Sequence, residues 1–268
     1  MNKAGHASFG ALVGVIAARQ LNDVPTVTAV LNGAMSTAAA SLVPDLDHPK
    51  STATTHLGVV TEKLSWMVRE TSGLVYRLTK GPRDEDVSGK HRGITHTVVF
   101  AALLGFGTTQ GCQAAAEYDP RVGAAVMVGL IVLLASLAAT FFGKWAITAP
   151  GALGVSLFFA GDPVAELNAL APQMGWYIAL GCVAHCLTDA ITKEGCAFMW
   201  PIPWKGETFY EIRPPAECLR IRAGGPAEAV LVPIFITVGF VIAVHMLSPE
   251  PVQQLLTMLM DQLATLAR

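Results

Sequence analysis

Residues 122–142 read VGAAVMVGLIVLLASLAATFF, a stretch of 21 residues with no ionisable side chain. A bilayer core takes about 20 apolar residues in helical form, so this segment alone is long enough to cross it. Working outward, residues 97–116 (TVVFAALLGFGTTQGCQAAA) and 229–247 (AVLVPIFITVGFVIAVHML) satisfy the same requirement, giving three secure spans. Residues 7–18, 26–43, 146–160 and 175–188 are weaker candidates, being short or rich in Ala, Gly, Ser and Thr. Small residues let helices approach closely in lipid, so these segments suit the inside of a bundle. The first of them follows Met1-Asn2-Lys3 without a clear cleavage site and is expected to be retained. Across the 268 residues, 52% are apolar and 14% charged. An ordinary soluble domain carries about 25% charged residues, so a soluble globular enzyme is excluded as the natural reading. The expected fold class is all-α, a polytopic integral membrane bundle. A net charge of −2 and a pI near 6.4 supply no basic field, so no direct nucleic-acid binding is expected. Five scattered cysteines do not form a secreted disulfide framework.

Two polar stretches, residues 44–95 and 189–228, carry eight and five basic residues respectively, whereas the turn at 117–121 carries one. The positive-inside rule places both stretches on the cytoplasmic face, which a seven-crossing arrangement allows. The chain is therefore read as one membrane-embedded domain, 1–268, with a polar insertion at about residues 50–90. A stripe at Val252, Leu255, Leu256, Leu259, Leu263 and Leu266 predicts an amphipathic helix over 251–268. No internal repeat or glycine-rich phosphate loop is present.

Ionisable groups at a membrane edge are expensive and are usually paired, metal-bound or set in a polar cavity. Three clusters of them stand at span ends. In Pro44-Asp45-Leu46-Asp47-His48-Pro49, Pro44 disfavours helix at the residue before it, leaving two carboxylates and an imidazole on irregular backbone. They can aim at one ion, or form a solvated Asx turn. In His91-Arg92-Gly93-Ile94-Thr95-His96, two histidines five apart do not share an ideal helical face, but Gly93 permits a bend and Thr95 is available as a helix cap. The histidines can be ligands or proton acceptors, and Arg92 can hold a phosphate or carboxylate with its planar fork. The alternative is a basic edge facing water. In His185-Cys186-Leu187-Thr188-Asp189, the four-residue spacing puts His185 and Asp189 on one face, either as two ligands or with the aspartate orienting the histidine. Cys182 lies near that face, with a structural role favoured. His6 can join the site; His56 and His245 are expected to be solvated or packed; Glu228 is a ligand, a base or a helix-start carboxylate. Mixed Asp and His ligands suit zinc, manganese or iron, with one or two ions.

The order His6, LVPDLDHPKS from Leu42, HRGITHT from His91, AHCLTDAITKEG from Ala184 and MWP from Met199 resembles the YdjM-type membrane-bound metal-dependent hydrolases, also described as LexA-binding and inner-membrane-associated. The shared motifs cover about forty residues, spread over most of the chain. The RIRAGGPAE stretch from Arg220 is similar to a later segment of that family, and the long stretch between Lys50 and His91 departs from it. The LexA part of the description identifies no substrate and has no support in this sequence. What the resemblance implies is an integral protein of the bacterial inner membrane with a hydrolytic metal site at His6, Asp45, Asp47, His48, His91, His96, His185 and Asp189. The expected function is metal-dependent hydrolysis at the bilayer surface, with zinc or manganese as the ion and Asp47, His96 and Arg92 as the catalytic groups. Membrane lipids are the expected surroundings, and a small-molecule or lipid phosphoester is the first substrate to try. Two other readings stay open: a metal-handling or transport protein, and a metal-braced scaffold without catalysis. An intramembrane zinc protease would need His-Glu-x-x-His, which is absent.

Overall fold

In the computed structural model, residues 1–23, 26–142, 148–159 and 161–247 are described; the amphipathic helix expected over 251–268 lies outside them. Among the described residues there are nine α-helices and no strand longer than an isolated bridge: α1 (Lys3–Leu21), α2 (Val27–Ala40), α3 (Thr52–Thr55), α4 (Val59–Thr79), α5 (Val98–Tyr118), α6 (Pro120–Phe142), α7 (Thr148–Phe159), α8 (Pro163–Ala190) and α9 (Pro226–Leu247). Their starts are chemically marked. Asn2 accepts from the amides of Ala4 and Gly5, Thr26 from that of Ala29, and Asp162 from those of Val164 and Ala165, ahead of Pro163 at the first helical position. Thr97, not Thr95, caps α5, accepting from the Phe100 amide. The Thr95 hydroxyl is occupied elsewhere, as described below.

Four described segments are long and apolar enough to cross a membrane: Val27–Asp47, Val98–Tyr118, Pro120–Phe141 and Pro226–Leu247. The three spans expected as secure are among them. The fourth, the small-residue segment following Thr26, is mostly buried inside the bundle, whereas α5 and α9 present most of their surface outward. Exposed Leu103, Phe106, Phe240 and Val241 on those outer helices would be costly in water and are at home in lipid.

The centre of the bundle is α8, which packs on α1, α2, α5 and α6. Its contacts depend on missing side chains. A Cβ at Gly105 of α5 would press on the Gly175 carbonyl of α8, and one at Gly175 would collide with Gly105; Gly14 and Gly33 make the same backbone-to-backbone approach between α1 and α2. This is the close packing that small residues permit where lipid supplies no hydrophobic drive between helices.

Chain direction then decides where the polar segments go. The starts of α1, α5 and α9 and the ends of α2 and α8 meet at one end of the bundle: the Met1 amino group reaches Asp189, the Asn2 amide reaches Glu228, and Arg92 reaches both Asp189 and Gly195. Both polar stretches therefore lie at that end. The first of them is more ordered than its composition predicts. It contains α4, whose Ser65, Ser72, Gly73 and Tyr76 are buried against the site loops, and it is joined to the second stretch by Asp84, which accepts from the amides of Gly81, Thr208 and Phe209. Those hydrogen bonds outweigh the cost of partial burial and hold the Asp84 carboxyl below its ordinary pKa.

Candidate metal centre

Three chain segments supply the site. The 3-10 turn Pro44–Asp47 ends the α2 span, the 3-10 turn Ile94–His96 precedes α5, and the last turns of α8 carry His185 and Asp189. His6 enters from the second turn of α1.

Asp47 is fully buried and is the anchor of the second turn. Its Oδ1 is 2.8 Å from His91 Nδ1; its Oδ2 accepts from the Arg92 amide and the Thr95 hydroxyl, each at 2.7 Å, and lies 3.3 Å from His96 Nδ1. To make these bonds the chain turns sharply. Arg92 adopts φ +55°, a left-handed conformation uncommon outside glycine and asparagine, and such strain persists where surrounding contacts over-determine it. Burial works against a charge on His96, but the Asp47 carboxylate outweighs it by charge and hydrogen bond and pushes the imidazole up to about 9.

The ring nitrogens of His185 are distinguished by their neighbours. Nδ1 is 2.7 Å from the Ser41 carbonyl, which can only accept, so Nδ1 donates and Nε2 is left with its lone pair. That Nε2 lies 3.2 Å from His96 Nε2, with Asp189 Oδ2 at 3.6 Å from the former and 3.9 Å from the latter. Two imidazole nitrogens and a carboxylate oxygen thus converge with no hydrophobic group between them, an arrangement that requires a proton or a metal ion to be stable. A second triad shares His185 with His6 and Asp45: the His6 and His185 rings stack at 3.9 Å, and Asp45 Oδ1 is 3.8 Å from His185 Nε2. Each triad has its ligand atoms within 4.8 Å of one another.

Asp189 already carries two cationic neighbours, the Met1 amino group at 2.6 Å and Arg92 Nη2 at 3.0 Å. His48 stands apart from both triads, half-buried, its ring 5.0 Å from that of His91 and its Nδ1 accepting from the Lys50 amide. His91 is partly exposed and, with Arg92, lines two cavities. The smaller, of 320 Å³, is lined by His6, Asp45 and Asp189 of the triads together with Lys3 and Lys50, and not by His96 or His185; the larger, of 1070 Å³, runs between the two polar stretches past Tyr76, Trp204, Phe209 and Arg213.

Over residues 1–248 the sequence matches the family described as YdjM inner membrane protein. The chain belongs to that family. Comparison with curated proteins and with solved structures gave no match. The YdjM match covers every residue of both triads and both polar stretches, and with the apolar helices it places the chain in a membrane.

Sequence reasoning passed over several parts of this YdjM site. The Ser41 carbonyl that orients His185 is a backbone group and leaves no compositional signal. Cys196 lies under the cluster with its Sγ 3.3 Å from the His96 carbonyl, which its position in a polar loop did not announce. Thr188 was legible in principle, lying one turn below Ala184; its hydroxyl is 2.6 Å from His6 Nδ1. Glu228 is no part of the cluster: its two oxygens accept from the amides of Asn2 and Gly224, bracing the start of α9 against that of α1. Cys182 is buried, with its thiol directed at the Ala40 carbonyl, and His56 packs on Ser136 of α6.

Proposed function

We propose that this protein is a membrane-bound metal-dependent hydrolase whose site faces the cytoplasm and whose substrate is a phosphoester, carried on a lipid or on a small molecule. The observation that carries the reading is the 3.2 Å approach of His96 Nε2 to His185 Nε2 beside Asp189. Both histidines are held from behind, His96 by Asp47 and His185 by the Ser41 carbonyl, as metal-binding imidazoles usually are. The donor set fits zinc or manganese: His96, His185 and Asp189 would hold one ion. The single Nε2 lone pair of His185 serves only one, and His6 Nε2 donates to the Met1 carbonyl, so His6 and Asp45 flank that position and do not complete a second. Such an ion supplies Lewis acidity and makes a bound water acidic enough to attack near neutral pH.

The chain's own residues account for the remaining tasks. His91 is the candidate base: Asp47 fixes its Nδ1, and the ring lines both cavities, so Nε2 is placed to accept a proton there. Arg92 and Lys50, which line the smaller cavity, supply positive charge for anionic substrate oxygens, while the Lys3 ammonium is engaged by the Thr140 carbonyl. Asp47, fully engaged by four donors, acts as a positioning residue behind His91 and His96. His48 is placed to contact His91 and is given no ligand role in this reading.

The test combines metal analysis with turnover of phospholipids and chromogenic phosphodiesters by the purified full chain. Wild type should hold about one ion, His185→Ala should lose it, and His91→Gln should keep metal while losing turnover. Metal-loaded wild-type protein without any turnover would favour a second reading, in which the cluster braces the bundle; the two cations already on Asp189 are the observation in its favour.

A further inference from the structure

The helix inside the first polar stretch is the wrong way round for a protein surface in water. On α4, positions 60, 64, 67, 71, 74 and 78 recur at the spacing of one helical face, and they are Val60, Leu64, Met67, Thr71, Leu74 and Leu78. All six are exposed, from 45% for Leu64 to 74% for Leu78 among the hydrophobic ones. The opposite face, which is small and polar, is the buried one. There Ser72 Oγ donates to the Gly89 carbonyl and accepts from the Ile94 amide, and the Tyr76 hydroxyl donates to the Glu85 carbonyl. Helices of soluble domains bury their apolar stripe; this one turns it outward along its whole length.

The helix cannot satisfy that stripe by crossing the bilayer, because Glu62, Lys63, Arg69, Glu70 and Arg77 are distributed along it. Its chief neighbours are α3 and the two 3-10 turns of the site, at the end of the bundle where α2 leaves and α5 enters the apolar layer. Lys63 and Arg77 lie along one flank of the stripe and make no ion pair among the described residues, which leaves both for lipid phosphate. Trp66, 57% exposed, stands on the same flank, where the headgroup layer favours an indole. Outward apolar stripe, cationic flank and exposed tryptophan together are the pattern of a helix lying in a membrane surface.

We propose that α4 is an in-plane membrane helix, its Val60-to-Leu78 stripe seated among the acyl chains of the bilayer the bundle spans, with Lys63 and Arg77 at phosphate level. The occupant of the stripe is lipid. Through Ser72 the seated helix fixes the His91–His96 turn, so the site is held at headgroup depth. This placement is independent of whether the site is hydrolytic.

The test uses the full chain in nanodiscs of phosphatidylethanolamine and phosphatidylglycerol. In a Cys218→Ser background, nitroxide labels are attached to single cysteines at Leu64, Met67, Leu74 and Leu78 and, for comparison, at Glu62, which is exposed on the far side of the helix from the stripe. The stripe should favour oxygen over a nickel chelate several-fold more than the comparison position. Stripe labels open to nickel would overturn the proposal, as would labels closed to both reagents with spin broadening between copies, which would make a second chain the occupant. A measurement on the unsubstituted stripe guards against misfolded variants: brominated phosphatidylglycerol should quench a component of the tryptophan emission that is missing in Trp66→Phe. Equal quenching of the two proteins would also overturn it.

Discussion

Asp47→Asn separates a positioning role for this carboxylate from a ligand role. In the wild type its two oxygens, closed to water, serve His91 Nδ1, the Arg92 amide, the Thr95 hydroxyl and His96 Nδ1. Asparagine keeps its acceptor oxygen toward the Arg92 amide, Thr95 and His96 and turns its NH2 group toward His91 Nδ1, which can accept only by carrying its proton on Nε2; the negative charge beside His96 is lost in either orientation. Hydrogen bonds to a charged group contribute about 1.5–3 kcal/mol each, and breaking a buried ion pair from one side costs about 3–5 kcal/mol. A destabilisation of about 4 kcal/mol is therefore expected in the presence of a chelator, a large share of a typical folding free energy of about 5–15 kcal/mol. Asp45→Asn is the control: that side chain is 33% exposed and its nearest ionic contact is 3.8 Å, so a change within about 1 kcal/mol is expected. Unfolding of the purified chain in mixed micelles, followed by circular dichroism against added denaturing detergent, measures both. The reasoning fails if Asp47→Asn unfolds like wild type, or if Asp45→Asn proves the more damaging of the two without metal.

Gly105→Leu should separate α5 from α8, because the new side chain enters space held by the Gly175 carbonyl and the Ala179 methyl; a loss of about 3 kcal/mol or failure to insert stably is expected, against almost no effect for Gly107→Leu, whose Cβ direction is open. Asp84→Asn should weaken the junction between the polar stretches and flatten its acid dependence. The Asp84 carboxyl has a folded pKa below its unfolded value, so its stabilisation is present above the ordinary carboxylate pKa and fades as pH falls through the folded one. The protection of the Thr208 and Phe209 amides, both donors to Asp84, measured against the intrinsic exchange rate at each pH, should fall on acidification in wild type and be low at every pH in the variant.

The apolar runs and the clusters at their ends were readable because both are local properties of the chain. A 21-residue run without charge has few stable homes besides a bilayer. The irregular backbone expected around Pro44 is not found, since Val43 keeps helical angles (φ −66°, ψ −40°) and Asp45 and Asp47 lie in a 3-10 turn that continues the span, but the polar cluster at its end is still a local feature of the sequence. The identity of the residues that meet was therefore legible at His6, Asp45, Asp47, His96, His185 and Asp189. Their division of labour was not. Whether Asp47 meets an ion or stands behind His96 depends on which donors surround it, and three of these, the Arg92 amide, Thr95 and His91, are brought there by a left-handed residue that no spacing rule anticipates. Helix α4 was hidden for a different cause: its charges dominate the composition of residues 50–90, while its stripe emerges only at helical periodicity.

What the sequence determined by itself is the solvent: hydrophobicity summed over a run does not depend on the fold, so a bilayer and an all-α bundle follow from residues 97–142 and 229–247 alone. What the tertiary structure decided is convergence. Residues 6, 47, 96 and 185 are separated by up to 179 positions, and only the packing of α8 against α1, α2 and α5 through glycine brings their side chains within hydrogen-bonding and ligand distance. Orientation of each imidazole was likewise a tertiary matter, since it is set by partners such as the Ser41 carbonyl, a group every residue possesses and no sequence pattern can mark.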